Sequence, residues 1–292
     1  MIPKEILDKV RRIQILTSRM VTDVMSGHYE SVFKCRGMEF SEVRGYQVGD
    51  DIRNIDWNVM ARTGDPHVKE YVEERELTVM LLFDASTSLD VGTSGKTKRE
   101  IAAEICAVLA FTAITNNDKV GLIVFTDEIE LFVPPKKGKR HVLRVIREIL
   151  AHEARGTGTN IRGALEYLSK VTNRKSVTFL ISDFQDDGYE RDLSIANSRH
   201  DLVAIGVTDP AEVALERVAG LVRFRDPETG EEVEIDGWSA ATRKGYEENT
   251  GATRDARDRM FKKRGIDRVE MRTDRDYVLP LVTYFKEREG RS

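Results

Sequence analysis

The chain has 292 residues, with 46 Lys and Arg against 50 Asp and Glu and a formal charge of −4. That balance excludes a general basic field for nucleic acid or anionic lipid. A composition that is 40% hydrophobic and 33% charged excludes a disordered or fibrous chain. The two cysteines, Cys35 and Cys106, make neither a disulfide framework nor a CxxC pair. The longest apolar run falls well short of the ~20 residues that span a bilayer, and MIPKEILDKVRRIQIL holds no signal-peptide core. A reducing, cytoplasmic setting without a membrane span is therefore expected.

Taken in chain order, Ile6, Val10, Ile13, Leu16, Met20 and Val24 recur at three- and four-residue intervals; with Gly27 as terminator they predict an amphipathic helix over residues 4–26. Residues 36–76 turn to glycine and charge with short alternating pieces such as VKEYVEE, the pattern of a small, irregular β-containing lobe. From Leu77 strands and helices alternate. LTVMLLF reads as a strand, TKREIAAEICAVLAFTAITN as a helix, and KVGLIVFT with IELFVPP as a hairpin about Thr126-Asp127-Glu128. HVLRVIREILAHE and NIRGALEYLSKV read as helices, SVTFLIS and DLVAIGV as strands. Strands that are nearly unbroken apolar runs are covered on both faces, so the alternation predicts a doubly wound α/β fold on a mostly parallel sheet with helices on both faces. Beyond Pro210, LVRFRDPETGEEVEI predicts a hairpin around Pro227 to Gly230. A charged helix from about Ala240 to Arg264, a strand VEMRT and a last helix YVLPLVTYFKERE follow, with Pro280 expected to bend or restart that helix. The expected division is residues 1–76, an N-terminal helix and small charged lobe, and residues 77–292, the α/β domain with C-terminal additions.

Ligands of open α/β sheets gather outside the carboxyl ends of the strands. Three loops there carry oxygen donors: DASTS at 84–88, RGTGTN at 155–160, and the loop that begins with Asp183 after SVTFLIS. With no thiolate or imidazole among them, the set suits a small hard cation, and Mg²⁺ favours carboxylate, hydroxyl and water oxygens. Ser86 and Ser88, two residues apart, would turn their hydroxyls to one side of an extended turn. Asp84 would lie beneath, accepting hydrogen bonds from metal-bound water.

Asp84-x-Ser86-x-Ser88, Thr159 in GTGTN and Asp183 in FLISD resemble, in order and strand context, the metal-ion-dependent adhesion site of von Willebrand factor A domains. The resemblance implies Mg²⁺ or Mn²⁺ ligated by Ser86, Ser88 and Thr159, with Asp84 and Asp183 acting mostly through water and a last position open to a partner's Asp or Glu. Upstream, Glu39-Phe40, Arg44, Tyr46, Gly49-Asp50-Asp51, Arg53, Asp56-Trp57 and Ala61-Arg62 resemble the signature of the domain-of-unknown-function 58 family. In that family such a lobe precedes a von Willebrand factor A-like domain, and the genes commonly sit beside a MoxR-type AAA+ ATPase. Many members carry N-terminal membrane helices, which this sequence does not show. The implied function is a non-enzymatic, metal-dependent protein-interaction adaptor that works with such an ATPase in protein maturation or complex assembly.

Other readings of the same residues are weaker. Asp84 at a strand tip could be the nucleophile of a metal-dependent phosphohydrolase, but the second aspartate such enzymes place two residues on is Ser86 here. GTSGKTKRE is no phosphate loop, because the glycine required five positions before Gly95 is Asp90; an exposed loop and a helix start account for it. The cluster Lys136, Lys137, Lys139 and Arg140 has no interleaved aromatics and reads as a solvated turn, with contact to phosphate or an acidic partner as the other reading. Arg44, Arg53, Arg62 and Arg75 with Asp50, Asp51, Asp56 and nearby glutamates read as an ion-pair network fixing the small lobe, with a docking face as the other reading.

Overall fold

The computed structural model describes Tyr29 and residues 38–73, 76–215, 217–218, 220–225 and 227–291. The helix expected over residues 4–26 lies outside the described residues. Contacts divide the chain into two compact units, residues 33–76 and the remainder.

In the smaller unit, β1 (Met38–Gly45) pairs antiparallel with β2 (His67–Glu73), with an irregularity between Phe40 and Glu42. The charged residues between them act locally. Asp50 accepts from both guanidinium nitrogens of Arg44 at 2.8 Å and from the Gln47 backbone, and these bonds hold its carboxyl down at about 2. Asp56 caps α1 (Trp57–Thr63) by accepting from Asn58 N and Val59 N, and Gly64 ends that helix at φ 82° in the left-handed region. Arg53 pairs with Asp51 on the surface at 3.3 Å, a contact worth little in solvent.

The larger unit is built on a six-stranded sheet in the order β10-β7-β6-β3-β4-β5. Its strands are β3 (Thr78–Asp84), β4 (Lys119–Phe125), β5 (Ile129–Lys136), β6 (Val177–Ser182), β7 (Asp201–Thr208) and β10 (Asp267–Arg272). All neighbours are parallel except the edge strand β5, which returns antiparallel from β4 across the expected Thr126–Glu128 turn. β3 is buried along nearly its whole length, as its unbroken apolar sequence requires.

Met80 and Leu82 of β3 point to one face, where they pack with α4 (Ile161–Val171), α5 (Glu190–Arg199) and Phe261 of α6 (Ala240–Lys263). Alternation of side chains along the strand turns Val79, Leu81 and Phe83 to the opposite face. α2 (Lys98–Thr115), which packs on β3, β4 and β7 and on α3 (Lys139–Ala151), brings Ile101, Ile105 and Val108 into the core. α2 starts at a reciprocal cap, with Thr97 accepting from Glu100 N and the Glu100 carboxylate accepting from Thr97 N. The C-terminal hairpin is present as β8 (Leu221–Arg225) and β9 (Glu232–Asp236), which form a two-stranded sheet of their own.

α7 (Val278–Glu289) runs unbroken through Pro280, so the proline does not restart it. The proline is in the first turn, where its missing N–H would have had no intrahelical acceptor. α5 has no counterpart in the sequence reading: it is polar, with only Leu193 and Ala196 buried, and shows little periodicity.

Candidate functional site

After β3, the chain runs outward through β4 and β5 on one side; β6 then returns to the other side of β3, followed by β7 and β10. The carboxyl ends of β3 and β6 thus flank the point where the strand order reverses, the place in a doubly wound sheet where loops diverge and leave a crevice. Asp84 ends β3; Ser182 ends β6, and Asp183 follows it.

Asp84 has no solvent exposure, and both its oxygens are held: Oδ1 accepts from Ser86 N at 2.9 Å and Oδ2 from the Ser182 hydroxyl at 2.6 Å. Burial, then the nearby Asp183 charge, push its carboxyl up to about 7 against these bonds. Ser86 and Ser88 are buried with their hydroxyl oxygens 3.0 Å apart, so they face one side as expected. The backbone is not extended there, however, because Ser88 lies in a 3₁₀ turn over Thr87–Asp90, with Ser86 at its N-terminal boundary making no side-chain cap.

The second loop is tied to the first by Thr87, whose backbone N–H and hydroxyl both donate to Thr157 O, at 3.1 and 2.9 Å. Asn160 ends that loop by accepting from Gly163 N at the start of α4, and Asp186 of the third loop accepts from Ile161 N at 2.8 Å. Thr159 is half-buried and donates its hydroxyl to Glu228 Oε1 at 2.8 Å, so its partner comes from the β8–β9 turn.

Close approach of the second loop depends on Gly156. A Cβ there would fall 1.8 Å from Asp127 Oδ1 and 2.3 Å from the Thr126 hydroxyl oxygen, and Thr126 is fully buried. Gly156→Ala is expected to lower stability by about 1–3 kcal/mol through overpacking. Gly158→Ala, whose new methyl would lie in ordinary contact at 3.7 Å from Glu228 Oε2, should be near neutral. Urea melts of the two variants side by side check this difference.

Asp183 is buried and accepts from the Lys98 ammonium at 2.6 Å. Lys98 is the first residue of α2 and is itself fully buried, with Glu212 as its second carboxylate. Its own burial works against the charge, but the two carboxylates outweigh it and raise its pKa. Arg257 closes the other side by donating to the carbonyl of Asp183 at 2.6 Å. Lys98, Glu212, Ser182 and Glu228 are thus part of the site, and none was singled out from sequence. Ser182 alone left a signal, a hydroxyl at the tip of an apolar strand immediately before the expected aspartate.

The donor set suits an oxygen-liganded divalent cation. Of the two buried carboxylates, Asp84 is raised by its burial and then by the Asp183 charge, Lys98 pairs with Asp183, and hydroxyl oxygens with lone pairs sit beside them. Among the described residues no three His, Cys, Asp or Glu side chains gather as a metal cluster; a site here would rest largely on hydroxyls.

The strand order, the antiparallel edge and loops converging at the switch point define a von Willebrand factor A-like α/β domain. The family model described as "Protein of unknown function DUF58" matches residues 42–256, and the chain belongs to that family. It is 30% identical over 284 residues to the uncharacterized protein Rv1480 of Mycobacterium tuberculosis, an alignment spanning 96% of this chain and 88% of that protein. The crystal structure of an aerotolerance-related membrane protein from Bacteroides fragilis is alike in fold, with a TM-score of 0.50 at 16% identity over 74% of this chain and 100% of that one. The von Willebrand A domain of SpRpn10 overlays 45% of this chain and 75% of its own at 12% identity with a TM-score of 0.35. No helix among the described residues is long and apolar enough to cross a membrane.

Proposed function

We propose that the protein is a non-enzymatic interaction module that binds an acidic residue of a partner protein through a Mg²⁺ or Mn²⁺ ion. Ser86, Ser88 and Thr159 would hold the ion through their hydroxyls, with Asp84 and Asp183 behind them. The cation would supply a hard positive centre that a partner's Asp or Glu completes. The observation that carries this reading is the meeting of paired serine hydroxyls with two buried aspartates at the switch point of the sheet. A MoxR-type AAA+ ATPase is the partner proposed, in protein maturation or complex assembly, on the strength of family membership.

Titration calorimetry with Mg²⁺ tests the premise. Wild type should give saturable heat and Asp84→Ala none; absent heat in both proteins would remove the cation. Capture of the ATPase on immobilised protein should then be lost on adding a chelator. Phosphohydrolysis finds no support in this arrangement, because both Asp84 oxygens are already held and Ser86 stands where a second acid is needed.

A further inference from the structure

The turn between β8 and β9 docks on two of the three site loops. Pro227 O lies 2.9 Å from the Thr87 hydroxyl, a second acceptor beside Thr157 O for its single proton, and Glu228 Oε1 accepts from the Thr159 hydroxyl at 2.8 Å. Thr159 is one of the three hydroxyls assigned to the cation, so a carboxylate of the chain itself already stands beside a group that would hold the ion. The hairpin carrying Glu228 is lightly anchored. Among the described residues its strands pair only with each other, Leu221 and Val233 are 71% and 57% exposed, and its residues Val222, Phe224 and Ile235 line a cavity of ≈ 520 Å³ together with Ala211 and Leu215. Two-stranded hairpins are marginally stable by themselves, so an arm that adds to no larger sheet among the described residues can be lifted at smaller cost than a strand of the central sheet.

We propose that Glu228 is a built-in carboxylate of the cation site: it fills the position meant for a partner's acidic residue, and a partner engages by displacing the β8–β9 turn. This rests on the reading of the site as a cation centre. A carboxylate is the chemistry that would complete a hydroxyl-rich Mg²⁺ shell, and it stands on a segment that folds back from beyond β7, not on the loops that carry the other donors. The hairpin would thereby keep the centre from capturing unrelated acidic surfaces.

Mn²⁺ serves as the probe, its free fraction followed by electron paramagnetic resonance and the water on the bound ion by proton relaxation. Wild type is expected to bind Mn²⁺ with low relaxivity. Glu228→Ala and Glu228→Gln should bind it about tenfold more weakly, in the range seen when a supporting group is lost from a metal site, with higher relaxivity as water takes the vacated position. Equal affinity and equal relaxivity in all three proteins would overturn the role of Glu228 while leaving the cation centre standing. Absence of Mn²⁺ binding by wild type and both variants would overturn the cation centre and this proposal with it. Since the turn is at the surface, unchanged circular dichroism melts are expected for both variants.

Discussion

Replacing Lys98 by methionine is expected to lower stability by about 3–5 kcal/mol, the cost of breaking a buried ion pair from one side. Methionine matches the length of the lysine stem, so the change removes the ammonium and leaves the packing of the first turn of α2 nearly intact. What remains is a buried Asp183 carboxylate that has lost its donor at 2.6 Å, and a Glu212 carboxylate that loses the same cation. Asp84, already raised by its burial and then by Asp183, stands beside them. The pairing of Lys98→Met with Asp183→Asn should recover part of the loss, since it removes both charges of the pair and spares the desolvation cost of the orphaned one. A double-mutant cycle by urea denaturation reads both values. Loss no greater than that of an exposed pair, about 1 kcal/mol or less, would mean that water reaches Asp183 and that the ion pair does not anchor α2 to the site.

The difference between what sequence revealed and what it concealed follows from the range of the interactions. LTVMLLF could hardly be anything but a central strand, and the capped helix after Thr97 is written in its own residues. Asp84, Ser86 and Ser88 were legible because the strand tip that presents them is local, and Asp183 because it follows an equally apolar strand. Lys98 was concealed: one lysine in the charged run GKTKRE gives no sign of burial, and its partners lie 85 and 114 residues further on. Glu228 sits in DPETG, which reads as a solvated turn, and its contact with Thr159 spans 69 residues. Hydrophobic periodicity reports which face of an element is covered; it carries no record of a polar side chain brought from a distant turn. Burial of these charges is decided by tertiary contacts alone.

Asp209→Ala is expected to cost about 3 kcal/mol or more, because one fully buried carboxylate there satisfies several donors at once. Oδ2 accepts from Thr93 N at 2.9 Å and from the Thr273 hydroxyl at 2.7 Å; Oδ1 accepts from the Thr93 hydroxyl at 2.5 Å and from Ala211 N at 3.0 Å. The residue therefore fastens the exit of β7 to the loop before α2 and to the chain after β10. Glu212, which caps the same turn by accepting from Asp209 N at 3.0 Å, carries the effect on to Lys98. Asparagine should not rescue the variant. Whichever way its amide is turned, the NH₂ group faces a backbone N–H, of Thr93 or of Ala211, and a backbone donor, unlike a hydroxyl, cannot reverse. The acid dependence follows from the same bonds: burial raises the Asp209 pKa, but the donors outweigh it and leave the carboxyl below its ordinary value. Its folded pKa is the lower one, so its stabilisation is complete above the unfolded value of about 3.9 and fades as pH falls through the folded one. Urea melts of wild type and Asp209→Ala should differ fully at neutral pH and draw together in acid as the carboxylate is protonated; a gap of the same size at neutral and acid pH would show that the carboxylate charge is not what holds the three segments together.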